Sequence, residues 1–229
     1  MSADPASSRR LIIAIDGPSG AGKGTIARAV AARLSYRHVD TGAMYRAIAW
    51  KALREGLHLD DEPALAELSG RAVLEVENAR ILVDGEDVGH AIRTPDIDRA
   101  AAIVARHPAV RRVLVARQRA AGADGGIVME GRDIGTVVFP DADVKIYLDA
   151  SPEERARRRA NDPAHRTPAG RVLTEVATAL AERDRSDSTR AVSPLAAAPD
   201  AVHIDTTGLS VEAVVDRVMT VVQGASYRP

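Results

Sequence analysis

The chain of 229 residues contains no cysteine. Disulfide staples, thiolate metal sites and thiol nucleophiles are therefore excluded, and a reducing compartment is admissible. Aromatic residues make up only 3% of the chain, with a single Phe and a single Trp. Proteins that hold single-stranded nucleic acid stack bases on aromatic platforms, so that class is disfavoured. Charge of one sign is also missing: 31 basic residues meet 32 acidic ones, for a net charge of -1 and no global attraction to a polyanion. No apolar run approaches the ~18 residues that cross a bilayer. The apolar run after Ser8-Arg9-Arg10 ends at Asp16, short of the roughly 7 to 15 apolar residues of an export signal, so a cytoplasmic protein with a short tail is expected. Lysine is nearly absent too. Apart from Lys23, Lys51 and Lys145 the basic residues are arginine, so arginine abundance alone says nothing about phosphate binding and position must carry the argument. The six histidines are scattered with no helical pair at ligand spacing, and a metal held by protein ligands is not expected.

What is present is an ordinary globular composition, 45% hydrophobic and 28% charged, long enough for one domain with inserts. Its most informative stretch is Gly17-Pro18-Ser19-Gly20-Ala21-Gly22-Lys23-Gly24-Thr25, which follows the apolar run Leu11 to Ile15 and precedes a helical pattern up to Leu34. A buried strand, a glycine-rich turn and a helix start are the parts of a phosphate-binding loop. The glycines let backbone N–H groups point inward, the helix start favours anions, and Lys23 reaches the terminal phosphates as a point charge. The usual pattern ends Gly-Lys-Ser/Thr, whereas here Gly24 separates Lys23 from the hydroxyl of Thr25. That ending resembles the loop of nucleoside monophosphate kinases and leaves direct magnesium ligation by Thr25 open.

Further along, Tyr36 to Asp40 reads as a second strand, and Thr41 is placed to cap a helix running from Ala43 to about Gly56. Strand, helix, strand, helix begins a parallel α/β sheet, in which ligands bind beyond the carboxyl ends of the strands. The alternation then breaks for about seventy residues, too many for a bare loop. A short helix at Pro63 to Leu68, a hairpin from Val73 to Val83 turning at Asn78-Ala79, and a third short strand near Val88 read as an inserted lobe over about 60–93. Helices are expected at Pro95 to Arg106 and Ala109 to Ala121, strands at Gly126 to Glu130 and Asp143 to Asp149, and a capped helix from Ser151. A flap at Asn161 to Gly170, a helix from Val172 to about Asp187, a strand at Ala201 to Asp205 and a last helix at Val211 to Val222 complete the chain. The fold class is α/β: a three-layer P-loop fold on a central parallel sheet. One domain is expected, with its core at about 10–59, 94–156 and 171–224 and a lid at about 157–170.

Two basic clusters have two readings each. Arg155, Arg158 and Arg159 share a helical face at about 100° per residue, with Arg157 pointing away. They form either a solvated face paired with Glu153 and Glu154, or a lid that closes arginine forks over a transferring phosphoryl group. Arg183, Asp187 and Arg190 are spaced to line one face, either as a surface ladder or as a site for a ribose and a phosphate. Arg132 and Asp133 leave a core strand at the sheet edge where the glycine loop opens, and Glu130 at the strand end is placed to reach a magnesium shell through water. Tyr45 and Trp50 read as core residues.

Taken together, the segments Gly17 to Thr25, Asp40 to Arg46, Gly85 to Val88, Ile92 to Thr94, Gly131 to Ser151 and Ser188 to Leu195 resemble the bacterial cytidylate kinase family of nucleoside monophosphate kinases. The resemblance runs from about Leu11 to Val222. It implies ATP-dependent phosphorylation of CMP and dCMP, with Mg held mainly by ATP phosphates and water. It also implies a cytoplasmic monomer whose partners are small nucleotides, with no nucleic acid and no membrane. By the same resemblance Gly17 to Thr25 and Arg158 bind ATP, and Lys23, Arg132, Arg155, Arg159 and Arg190 are catalytic. CMP is held by Thr41, Arg46, Arg132 and Arg190 at its phosphate, by Arg183 and Asp187 at its ribose, and by Arg111 and Asp133 at its base. Where the family commonly has a serine against the base this chain has Ala102, one hydrogen bond fewer. A kinase for UMP or another small acceptor is the nearest alternative, and a non-catalytic nucleotide-binding or RNA-binding module is the alternative from another class. A nucleotide-switch GTPase needs an Asn-Lys-x-Asp guanine reader, and with no lysine after an asparagine that class is strongly disfavoured.

Overall fold

A computed structural model of the protein describes residues 10–77, 80–162 and 173–226. Strands β1 (Ile12–Asp16), β2 (Arg37–Asp40), β6 (Ile127–Gly131), β7 (Val144–Asp149) and β8 (Val202–Asp205) form one sheet in the order β2-β6-β1-β7-β8. Every neighbouring pair in it is parallel. β1 and β6 read as continuous apolar runs because both faces of a parallel sheet are covered. Alternate side chains serve opposite layers. Ile13, Ile15 and Val128 pack with α1 (Lys23–Leu34) and α8 (Val211–Ser226), whereas Ala14, Ile127 and Met129 pack with Val115 of α5 (Pro108–Gly122). Each fully buried Ile or Met contributes roughly 1.5–3 kcal/mol, which fixes the register of the sheet and with it the edge where the loops emerge. In that register Asp16 stands beside Gly131 and Asp40 beside Glu130, so the phosphate loop and the turns after β2 and β6 open side by side.

Helix α2 (Thr41–Arg54) follows β2 with no intervening loop, and α3 (Glu62–Arg71) leads into a separate antiparallel sheet. That sheet is β3 (Leu74–Glu77), β4 (Arg80–Val83) and β5 (Glu86–Asp87); the expected turn at Asn78-Ala79 lies outside the described residues. Ile81, Val83 and Val88 pack on Ala43 and Ala47 of α2, which carries the small sheet against the core. Helix α4 (Pro95–Val104) and α5 both begin on proline, where the missing N–H costs nothing. Helix α6 (Pro152–Ala160) is capped by the Ser151 hydroxyl, which accepts from Glu154 N at 3.2 Å, and α7 (Leu173–Ser188) follows. Most of the expected flap lies outside the described residues.

Two local expectations are corrected. The cap of α2 is Asp40, whose carboxylate accepts from Ala43 N at 3.0 Å, while the Thr41 hydroxyl donates instead to the Glu130 carbonyl at 2.7 Å. After Asp133 the chain does not simply turn. It forms one turn of π-helix, Ile134–Val138, a conformation found mostly at functional sites.

Candidate functional site

Between the phosphate loop, the turn after β6 and helices α2, α5, α6 and α7 lies a cavity of about 710 Å³. Every site residue expected from the sequence lines it except Gly17, Pro18 and Arg155. The loop curls through Gly17, Gly20 and Gly22, all at positive φ, and delivers Lys23 to the first position of α1. The Lys23 ammonium is buried and donates to the Pro18 carbonyl at 2.7 Å. Burial, reinforced by Arg132, pushes its pKa down to about 7, against the opposing pull of Glu130 and Asp184.

Arg132 joins the loop to the opposite wall. Its Nη2 donates to Ser19 Oγ at 2.7 Å, and its Nε donates to Asp187 Oδ2 at 2.9 Å. Asp187 also takes Arg190, and although burial works against its charged form, Arg132, Arg190 and Arg183 outweigh this and hold its carboxyl below the usual range. Asp98 of α4 receives Arg159 from α6 and lies 3.4 Å from Arg183 of α7. Arg46 donates to Asp40 at 2.8 Å; burial opposes the Asp40 charge, but Arg46 and the Ala43 N–H bring its pKa down to about 2. Arg111 and Asp133 form a buried pair, with the Arg111 guanidinium 5.4 Å from the centre of the Tyr45 ring. Tyr45 is buried as expected, yet it also lines the cavity.

Arg155 is the displaced member of the set. Its guanidinium pairs with Asp184 and donates to the Ser19 carbonyl at 3.1 Å, while Ser19 N donates to Asp184 at 3.0 Å. It holds the loop from beneath rather than facing the cavity. Arg158 donates to the hydroxyl and carbonyl of Thr206 at 2.8 and 2.7 Å, and Arg157 is exposed on Glu154. Sequence reasoning missed Arg93, which lines the cavity and stands in the Ile92-Arg93-Thr94 motif. It also missed Asp98 and Asp184, whose arginine partners lie far away in the sequence. Among the described residues no group of three or more metal-ligating side chains occurs. The carboxylate of Glu130 lies beside Gly24 of the loop and is held by His38 Nε2 at 3.0 Å. None of the described helices is long and apolar enough to cross a membrane.

A glycine loop on the first strand of a parallel sheet, emptying into an arginine-lined cavity, defines the class: an α/β P-loop fold of the small-kinase type. The shikimate kinase of Acinetobacter baumannii, solved with shikimate, shares this fold with a TM-score of 0.50 at 16% identity, covering 97% of this chain and 98% of that one. The cytidylate kinase family model matches residues 13–224. A cytidylate kinase of Geobacillus sp. (strain WCH70) is 50% identical over 92% of this chain and 95% of its own length, and one of Solibacter usitatus (strain Ellin6076) is 48% identical over 94% and 93%. The chain belongs to the cytidylate kinase family.

Proposed function

We propose that this protein transfers the terminal phosphoryl group of ATP to CMP and dCMP, giving the diphosphates. The observation that carries the reading is that one cavity holds both a phosphate loop with its lysine and a buried Arg111–Asp133 pair. The first fits a triphosphate. The second offers an acceptor and a donor, the pattern that a cytosine amine and ring require and that the uracil carbonyl mismatches, leaving a buried carboxylate against an acceptor.

The residues fit the nucleotides and their cation. The buried Nε atoms of Arg46, Arg111 and Arg190 have no hydrogen-bond partner among the described residues, and each of these arginines lines the cavity. Mg, when bound with ATP, neutralises charge on the β- and γ-phosphates. The loop N–H groups from Gly20 to Thr25, with Lys23 and Arg158, would hold the donor phosphates. Thr41, Arg46, Arg132 and Arg190 would hold the acceptor phosphate, and Arg183 with Asp187 the ribose. Lys23, Arg132, Arg159 and Arg190 would stabilise charge on the phosphoryl group in transit. Arg155 acts by positioning the loop. A phosphate monoester oxygen is already anionic, so no strong base is required and catalysis is positioning plus electrostatics. In this reading residues 60–93 are the monophosphate-side lobe and 157–170 the lid.

A coupled assay of ADP release with CMP, dCMP, UMP and AMP side by side tests the proposal. Turnover with CMP and dCMP well above UMP and AMP is expected; binding without turnover would overturn it.

A further inference from the structure

The turn that carries Asp133 is gripped at both ends by residues outside the cavity. At its start, Asp16 on the last position of β1 accepts from Ile134 N and Gly135 N, both at 2.8 Å, one with each carboxylate oxygen. At its end, Arg119 of α5 donates from Nε to the Val138 carbonyl at 3.0 Å and from Nη2 to the Val137 carbonyl at 2.7 Å. Immediately beyond, the Phe139 ring lies where a side chain at Gly122 would be: a Cβ there would meet the ring at 2.4 Å. Arg111, Arg119 and Gly122 lie within about 80° of one another around α5, so one face of that helix receives the whole segment from Asp133 to Phe139. The same helix therefore supplies the ionic partner of Asp133 and the anchor of the turn behind it.

A single helical turn cannot satisfy its own first N–H groups and last carbonyls, and a π-turn, rare in itself, needs partners for them from its surroundings. Here the orphan donors at the start go to a carboxylate and the carbonyls at the end go to a guanidinium fork. Neither Asp16 nor Arg119 lines the cavity. We propose that Asp16 and Arg119 are positioning residues for the specificity of the reaction: by clamping the π-turn at its two ends they fix the carboxylate of Asp133 where the pyrimidine base is read. This rests on the proposed role of Asp133 in base reading.

The distinguishing measurement compares kcat/KM for CMP and UMP, with KM for ATP, in Arg119→Ala, Arg119→Lys and Asp133→Asn. Ångström-scale misplacement of a recognition group costs up to orders of magnitude. Arg119→Ala is expected to lower the CMP:UMP ratio about tenfold with KM for ATP changed less than about twofold, and Arg119→Lys, which keeps one donor, to recover part of the ratio. A ratio unchanged in both Arg119 variants while Asp133→Asn collapses it overturns the clamp. A ratio unchanged in Asp133→Asn as well shows instead that base reading by Asp133 has failed. If Arg119→Ala does not fold, Arg119→Lys decides alone: a wild-type ratio counts against the clamp, a reduced one for it.

Discussion

The carboxylate of Glu130 crowds the space that a side chain at Gly24 would need. A Cβ at that position would stand 3.1 Å from Glu130 Oε1 and 3.6 Å from Oε2. The loop that departs from the usual Gly-Lys-Ser/Thr ending does so where a strand-end carboxylate, held by His38, presses against the first turn of α1. Gly24→Ala should therefore separate stability from activity. Helix propensity favours the change by up to about 1 kcal/mol, while Glu130 must move away from the phosphate-loop helix. We expect a melting temperature within a few degrees of wild type and turnover reduced about tenfold or more. Unchanged turnover would show that the placement of Glu130 does not matter to the reaction.

Lys23 supplies a prediction about protons. With its pKa at about 7, the amine is largely neutral at pH 8 and should be recharged by the phosphates of an incoming nucleotide. Calorimetry of ATP binding in buffers of different ionisation enthalpy should show net proton uptake at pH 8, absent in Lys23→Met. The linkage sign follows. A lysine whose native pKa lies below its unfolded value makes the protein gain stability as pH rises from about 7 towards 10.5. Lys23→Met should lose that slope and lose turnover by about two to three orders of magnitude while remaining folded.

Asp187 holds two arginines, and its depressed pKa makes it a source of stability at neutral pH. That contribution is complete above the unfolded carboxylate value of about 3.9 and disappears as pH falls through the lower native value. Asp187→Asn leaves Arg132 and Arg190 beside an uncharged amide and should cost about 3 kcal/mol at pH 7 in chemical denaturation. The gap to wild type should shrink as the pH falls below the unfolded value of about 3.9 and through the lower native one. A constant gap would mean that packing, not charge, is at stake.

Asp16 behaves in the opposite sense. Burial pushes its carboxyl up to about 6, against the two N–H donors of the π-turn. The native state therefore binds an extra proton between about 3.8 and 6, and the contribution of this residue to stability falls as pH rises across that window. Relative to Asp16→Asn, wild type should lose about 2 to 3 kcal/mol between pH 4 and pH 6.5, measured by denaturant titration at each pH. A flat difference would place the Asp16 pKa at its ordinary value.

The centre of the sheet was legible because β1 and β6 are short apolar runs bounded by glycine, and the phosphate loop because glycine, lysine and flanking strand and helix coincide in nine residues. Helix α4 announced itself through proline at its first position, whereas Pro108 read as a break before Ala109 and in fact opens α5. The π-turn was not legible. Its donors are satisfied by Asp16, 118 residues earlier, and no local pattern records that. Thr41 and Asp40 both suit an N-cap, and only the pairing of β2 with β6, which brings the Glu130 carbonyl to the Thr41 hydroxyl, settles which one caps. The arginines were found but not their partners. Arg159 and Asp98 are 61 residues apart, Arg155 and Asp184 29 apart. Helical arithmetic places Arg155 on the same face as Arg159 without saying that this face begins under the loop and ends in the cavity.

In the resting protein Arg46, Arg111, Arg132, Arg159, Arg183 and Arg190 each stand against an aspartate. A cleft with this much guanidinium would otherwise act as a sponge for any small anion in its compartment. The six share four aspartates, so the cleft keeps a positive excess, but an isolated anion must still compete with a carboxylate already in place. A nucleotide arrives with phosphates, sugar and base together, and can exchange several such partnerships at once. The internal aspartates thus set an entry threshold for the cavity, one that rewards the number of simultaneous contacts more than charge alone.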